Sequence, residues 1–163
     1  MKKIVLVCDI DGTLTDGKMY YTKEGKAMKA FGCDDWDALM ALSKKIELCF
    51  ISGDTKGFPI TSKRIEDEMG YTLNTVPSNA KLRWKWIEKN FKGYTIIFIG
   101  DGIYDYLSLE NADHSFTVKD ALTHVKDSAK IVLDRNGGER FVAQCCLIIN
   151  NTLDLKCFEG IYD

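Results

Sequence analysis

Five short apolar segments, separated by stretches with helical character, constrain the fold of this chain more than any other feature. They cover residues 4–8, 48–51, 96–99, 115–118 and 131–133. Three of them are almost continuously apolar and rich in β-branched residues, which is typical of strands covered on both faces. Because strands and helices alternate, we predict an α/β fold with a Rossmann-like, doubly wound parallel sheet.

Capping residues predict where the helices begin and end. Asp34 and Asp35 would cap a helix over 36–44, and Pro59 suits the first turn of a helix ending near Gly70. Asn79 would cap a helix over 81–90, and a short helix follows Asp101 through residue 111. Directly after the first strand, two short β-type runs flank the turn-like residues 22–25, which predicts a β-hairpin flap over about residues 17–31. We find no linker and no repeat, and so expect a single domain over residues 1–163.

Composition excludes several classes of function. The net charge is −2, which gives no basic surface for nucleic acid and no cationic face for a membrane. No apolar run approaches the ~20 residues that a membrane span requires. The first apolar segment stops at Asp9, too early for a secretory signal, and the six cysteines form no C-x-x-C pair. We therefore expect a cytoplasmic protein that acts on a small molecule.

Polar residues follow three of the predicted strands at the point where each strand ends. Ligands bind at the carboxyl ends of the strands in open parallel sheets. An isolated aspartate at a strand end more often caps the next helix, but three such ends together favour a binding site. The residues concerned are Asp9, Asp11 and Gly12 after the first strand, Ser52, Gly53 and Asp54 after the second, and Asp101 after the third.

The spacing of Asp9 and Asp11 is suited to phosphoryl chemistry. Residues i and i+2 of a strand point to the same side, roughly 6–7 Å apart, which leaves room for a phosphoryl group between two carboxylates. A divalent cation would relieve their repulsion, and Asp101 would add the hard oxygen ligand that Mg²⁺ prefers. Gly12 would let the backbone approach the phosphate.

Phosphate oxygens also need donors and a cation. Ser52 and the Gly53 amide precede a predicted helix and are suitable donors. Lys81, at the start of the next helix, is the candidate cation, although a single lysine is more often a solvated surface residue.

In this order the residues resemble the haloacid dehalogenase superfamily of phosphotransferases. Residues 9–13 match its D-x-D-G-T motif, Ser52 its second motif, Lys81 its third, and Asp101 with Asp105 its acidic fourth. The length, the hairpin and a Gly-Gly pair at 137–138 are similar to the small capless branch that acts on phosphates of sugar acids such as 3-deoxy-D-manno-octulosonate.

The resemblance implies roles for these residues. Asp9 would be the nucleophile that forms an aspartyl-phosphate, and Asp11 the general acid and base. Mg²⁺ would be held by Asp9, the Asp11 carbonyl and Asp101, with Asp105 supporting the metal site. Ser52 and Lys81 would hold phosphate. The branch also implies no cap domain and a homotetramer built through the hairpins.

The chain departs from that branch at positions that are usually basic. Asp34, Asp54 and Glu139 stand there instead, which favours a phosphomonoester with a neutral or cationic leaving group. Asp35, Trp36 and Asp54 are further candidate substrate contacts, Trp36 being equally compatible with a core position in the first helix. A non-enzymatic phospho-receiver or regulatory module is the alternative, but a receiver carries its acidic pair and its acceptor on different strands.

Overall fold

The computed structural model describes residues 2–159. Its strands are β1 (Ile4–Asp9), β2 (Tyr20–Thr22), β3 (Gly25–Met28), β4 (Glu47–Ser52), β5 (Leu73–Thr75), β6 (Thr95–Ile99), β7 (His114–Thr117) and β8 (Ile131–Val132). Its helices are α1 (Asp35–Leu42), α2 (Phe58–Ser62, continued by a π-helical segment over Lys63–Glu68), α3 (Ala80–Asn90), α4 (Tyr106–Asn111), α5 (Thr123–Ser128) and α6 (Phe141–Thr152).

Six strands form one parallel sheet in the order β5-β4-β1-β6-β7-β8. The chain builds outwards from β1 through β4 and β5, then returns to the other side of β1 with β6. This reversal confirms the predicted doubly wound fold and creates a switch point at the carboxyl end of β1, where such folds bind ligands.

The core lies on both faces of the sheet. β1 is buried from Val5 to Asp9, and the largest fully enclosed side chains include Phe50, Phe98 and Phe141. Burying a side chain of this kind contributes about 1.5–3 kcal/mol. Helix α1 packs against α6, while α4 packs against both α3 and α5. The rigid sheet therefore fixes the positions of the loops that follow β1, β4 and β6.

The local predictions agree with the structure at several caps. The Asn79 side chain accepts a hydrogen bond from the Leu82 amide at 3.0 Å and so caps α3. Asp34 precedes α1, but in a left-handed conformation (φ 66°) and without a side-chain cap. Strand β5 and helices α5 and α6 were not predicted from the sequence.

The hairpin predicted after the first strand is present as the antiparallel pair β2–β3, with a β-bulge beside Tyr20. A bridge between Thr15 and Phe31 closes its base. Within residues 2–159 no other insertion follows β1, in agreement with the expected absence of a cap domain. None of the described helices is long and apolar enough to cross a membrane.

Candidate active site

The carboxyl ends of β1, β4 and β6 surround a cleft of about 280 Å³, the carboxyl-end cleft. Most of the side chains that line it are polar or charged, and they come from the loops after these strands, from the hairpin and from α3. The lining residues are Asp9, Asp11, Met19, Gly53, Asp54, Ser78, Arg83, Gly102, Tyr104 and Asp105.

Three carboxylates converge at the floor of this cleft. Asp9, Asp101 and Asp105 each offer an oxygen, and these oxygens all lie within 4.8 Å of one another. Burial, together with the neighbouring charge of Asp105, raises the pKa of Asp9 well above its usual range and that of Asp101 to about 7. Such a crowded set of hard oxygen donors fits a divalent cation, which would relieve the repulsion.

Hydrogen bonds hold these carboxylates in place. The Thr13 hydroxyl donates to Asp101 Oδ1 at 2.9 Å, and the Gly102 amide donates to Asp105 Oδ2 at 2.9 Å. The sequence assigned Asp105 a supporting role beside the metal. In the structure its carboxylate oxygen lies within 4.8 Å of an oxygen of each of the other two, so Asp105 is itself a candidate ligand.

Gly12 is required by the approach of Asp101 to the first loop. Its φ of +93° is unfavourable for residues with a side chain. A Cβ at this position would lie 2.1 Å from Asp101 Oδ2. The glycine of the first motif therefore makes room for a carboxylate of the candidate metal site.

Arg83, and not Lys81, brings a cation from α3 to the cleft. Lys81 lies on the exposed side of the helix, whereas Arg83 is buried and ion-paired with Asp9 at 3.1 Å and with Asp105. Its Nη2 faces Gly53, whose added Cβ would lie 3.1 Å away. Sequence reasoning missed Arg83 because the family motif directs attention to a lysine, although both residues belong to the same helix turn.

Asp11 also lines the cleft but is held by residues other than Arg83. Its carboxylate pairs with Lys29 at 2.6 Å and accepts a hydrogen bond from the Ser52 hydroxyl at 3.2 Å. The side chain of Asp11 thus lies outside the group of three carboxylates, as expected for a residue that would contribute only its carbonyl to a metal.

Asp54 is also paired with lysines of the hairpin. Lys26 and Lys29 both contact its Oδ2, and the Gly57 amide donates to its Oδ1 at 2.9 Å. Burial alone would raise the pKa of Asp54, but these hydrogen bonds outweigh it and hold the pKa well below its usual range. No local sequence pattern indicates the two lysines, because only tertiary packing folds the hairpin onto this loop.

Two further candidates lie outside the cleft lining. Asp35 is buried, and its Oδ1 accepts the Ala143 amide at 2.8 Å at the first turn of α6. Burial raises the pKa of Asp35 to about 6, even though this hydrogen bond opposes the shift. The ring of Trp36 stacks on the Arg64 guanidinium, 4.8 Å from the ring centroid. Both residues therefore have structural contacts of their own.

The other two acidic residues at usually basic positions, Asp34 and Glu139, also have polar partners nearby. Asp34 is ion-paired with Arg140, and Glu139 accepts a hydrogen bond from the Asn136 side chain at 3.2 Å. Neither acid lines the carboxyl-end cleft.

A loop near the end of the chain supports the first motif from behind. The Gly138 amide donates to the Thr13 carbonyl at 3.1 Å. A Cβ on Gly137 would lie 1.9 Å from the Gly12 carbonyl oxygen. The Gly-Gly pair therefore allows two backbones to touch directly behind the candidate site.

Comparison with known proteins agrees with this geometry. No protein-family model matches the chain. The 3-deoxy-D-manno-octulosonate 8-phosphate phosphatase KdsC of Haemophilus influenzae is 30% identical over 138 residues, which cover 82% of this chain and 75% of that protein.

Solved structures show the same fold. The cobalt-bound deoxy-D-mannose-octulosonate 8-phosphate phosphatase of Haemophilus influenzae aligns with a TM-score of 0.83 at 26% identity, covering 98% of this chain and 94% of that one. The Moraxella catarrhalis enzyme, solved with magnesium, phosphate and KDO, aligns with a TM-score of 0.83 at 22% identity over 99% and 94% of the two chains. From its sequence similarity, its sheet order and its acidic cleft, this chain belongs to the KdsC-like phosphatases of the haloacid dehalogenase superfamily.

Proposed function

We propose that this protein is a Mg²⁺-dependent phosphatase that hydrolyses a small sugar phosphate through an aspartyl-phosphate intermediate. The observation that carries the proposal is the position of Asp9: it lies at the floor of the cleft, within reach of two further carboxylates and of a buried arginine. Membership of a phosphatase family favours an enzyme over the phospho-receiver alternative.

Asp9 is suited to act as the nucleophile. Arg83 binds its Oδ1, which fixes the carboxylate and leaves Oδ2 without a hydrogen-bond partner among residues 2–159. That oxygen would attack phosphorus as the bond from phosphorus to the leaving oxygen breaks. The free Nη2 side of Arg83 and the Gly53 loop would receive the phosphoryl oxygens.

Asp11 is suited to proton transfer. It would donate a proton to the leaving oxygen in the first step and take one from the attacking water in the second. Ser52 and Lys29 hold its carboxylate at the mouth of the cleft, so it faces the leaving group and not the carboxylates of the floor.

Asp9, Asp101 and Asp105 are the residues that would hold Mg²⁺, together with the carbonyl of Asp11. When bound, the ion would neutralise these carboxylates and part of the charge of the phosphoryl group. The magnesium and cobalt in the two solved relatives support this choice of ion class.

The proposal is tested by measuring phosphate release from a panel of sugar phosphates with and without Mg²⁺. Acid quenching during turnover should trap one phosphoryl group on the peptide that contains Asp9. Turnover that persists undiminished in EDTA, or a phosphoryl group found on another residue, would contradict it.

Assembly as a homotetramer is part of the proposal, because the hairpin exposes apolar side chains that a monomer leaves in water. Tyr21 and Met28 are 63% and 59% exposed. Tyr21→Lys together with Met28→Lys should lower the mass measured by light scattering, whereas Met40→Lys on α1 should not. A mass that is the same for all variants would argue against assembly through the hairpin.

A cytoplasmic location is also proposed, since all six cysteines are free thiols and five of them are buried. Fractionation of the native host, with detection by antibody, tests it.

A further inference from the structure

Asp54 lines the carboxyl-end cleft and forms a charged cluster with Lys26 and Lys29, beside Asp11. Both lysines come from the hairpin, and their side chains are only 4% and 1% exposed. We call this group the flap-lysine cluster. The proposed hydrolysis makes no use of it, except that Lys29 also holds Asp11.

Three oxygens already surround the ammonium of Lys29, as many as the N–H donors of a protonated lysine. Lys29 donates a hydrogen bond to the Thr61 hydroxyl at 2.7 Å and is ion-paired with Asp11 at 2.6 Å and with Asp54 at 3.0 Å. A substrate carboxylate could bind Lys29 only by displacing one of these partners.

Lys26 is likewise committed to Asp54. The stems of both lysines pass over Gly57, where an added Cβ would lie 2.9 Å from Lys26 Cδ and 2.8 Å from Lys29 Cε. This close packing, together with the ion pair to Asp54, keeps both ammonium groups turned inwards. Asp54 and Asp11 together therefore balance the positive charges of Lys26 and Lys29.

The remaining charges of the cleft also leave no cation for an anionic leaving group. Arg83 is the only basic residue among its lining residues, and it is shared by Asp9 and Asp105. At the floor of the cleft, a bound divalent cation and a phosphoryl group would already occupy the groups that could attract charge. A second anionic group on the substrate would meet carboxylates that have no spare cation, and such like-charge contacts are strongly unfavourable.

The outer wall offers contacts that suit an uncharged leaving group. Met19 and Tyr104 are 54% and 40% exposed at the mouth of the cleft, and Ser78 adds a hydroxyl. An aromatic ring and a thioether pack against the C–H face of a sugar, and the hydroxyl hydrogen-bonds to its hydroxyl groups.

We infer that Asp54, which with Asp11 balances the charge of the two flap lysines, determines specificity: it restricts the enzyme to phosphomonoesters of neutral sugars or polyols and disfavours those of sugar acids. This inference rests on the proposed phosphatase activity. It distinguishes this chain from the relatives named for octulosonate, a sugar acid. It also narrows the leaving groups expected from the sequence to neutral ones, because a paired Asp54 offers no free charge to a cationic leaving group.

Two substrates that differ at one end of the molecule provide the test. Glucitol 6-phosphate carries a hydroxymethyl group where 6-phosphogluconate carries a carboxylate. We expect kcat/KM to be at least about tenfold higher for glucitol 6-phosphate, since like-charge contacts cost more than the free energy that a factor of ten represents. Equal or better hydrolysis of 6-phosphogluconate would overturn the inference.

The Asp54→Asn variant tests the assigned cause. It removes one of the two carboxylates that balance Lys26 and Lys29 without changing side-chain size, so one positive charge becomes available and the preference for glucitol 6-phosphate should fall by about tenfold or more. Asp54→Glu keeps the charge and should keep the preference. Asp127→Asn, an exposed acid on α5, is the matched control and should behave like the wild type. A folded Asp54→Asn variant with the wild-type ratio would contradict the inference.

Two further measurements cover a variant that does not fold and separate the inference from the proposed function. If Asp54→Asn does not fold, Lys26→Met, which leaves Lys29 paired with Asp54, should retain the preference for the neutral substrate. 4-Nitrophenyl phosphate, assayed with Mg²⁺, separates the two proposals. Hydrolysis of this compound with a reversed sugar preference would overturn only the inference, and no hydrolysis of any phosphomonoester would overturn the proposed function as well.

Discussion

Arg83 donates a hydrogen bond to Asp9 at 3.1 Å although 74 residues separate them in the chain. The same nitrogen also pairs with Asp105, so one buried guanidinium links β1 to the loop after β6 through α3. Among residues 2–159 its Nε is buried without a hydrogen-bond partner, so the orientation that serves the two carboxylates leaves one donor of the guanidinium unpaired.

Replacing Arg83 by methionine should lower kcat/KM by about 10²-fold or more, because it removes a fixed donor and leaves Asp9 and Asp105 without their counter-charge. Lys81→Met is the control, since Lys81 is exposed on the same helix. Steady-state kinetics on 4-nitrophenyl phosphate checks both variants. An equal loss in the two would mean that Lys81 reaches the phosphate after all.

Asp9→Asn should abolish turnover without lowering the midpoint of thermal unfolding. Burial and the neighbouring Asp105 disfavour the charged form of Asp9, so a neutral amide of the same size does not weaken the folded state. Differential scanning calorimetry and phosphate release measure the two quantities. Substantial activity in pure Asp9→Asn protein would exclude Asp9 as the nucleophile.

Gly12→Ala should be far more damaging than Gly93→Ala, although both glycines have a positive φ. In the described part of the chain nothing lies within 4 Å of the Cβ that would be added at Gly93, so that variant bears only the backbone strain, about 1–2 kcal/mol. At Gly12 the methyl group also collides with Asp101, which adds roughly 1–3 kcal/mol.

The comparison uses the free energy of unfolding from urea titration and the affinity for Mg²⁺ from calorimetry. Gly12→Ala should weaken Mg²⁺ binding, whereas Gly93→Ala should leave it unchanged. Equal effects of the two substitutions would show that Asp101 moves aside freely.

Asp35→Asn should change how stability depends on pH. Burial raises the pKa of Asp35 to about 6 in the folded protein, above its value in the unfolded chain. The folded state therefore retains a proton that the unfolded state has lost between about pH 4 and 6, so the stability from this group is lost as pH rises through 6.

The amide cannot ionise, and it keeps an oxygen to accept the Ala143 amide. Asp35→Asn should therefore be more stable than the wild type at pH 8, by on the order of 2–3 kcal/mol, and similar to it at pH 4. Urea titrations at the two pH values provide the check. A pH-independent difference would assign the effect to packing.

The parts of the molecule that could be predicted from sequence are those with local signals. Continuous apolar segments predicted the central strands, and Asn79 predicted the start of α3. Strand β5 was not predicted because it has only three residues and because its pairing with β4 depends on tertiary contact.

The same division applies to the site. The strand-end aspartates follow from sheet topology, and the structure brings Asp9, Asp101 and Asp105 together. Arg83, Lys26 and Lys29 could not be predicted, because helix rotation and the folding of the hairpin decide which of several basic residues reach the cleft. The sequence therefore indicates no partner for Asp54, whereas in the fold Asp54 is ion-paired with both Lys26 and Lys29.

The contact of Gly137 and Gly138 with the first loop has a consequence for biosynthesis. Gly12 and Thr13 leave the ribosome before Gly137 and Gly138, yet it is the later pair that braces their backbone. A nascent chain that stops before this pair has all the carboxylates of the candidate site but lacks the brace behind them. Competence should thus arise only once the glycine pair has been made and α6 docks, which carries that loop into place.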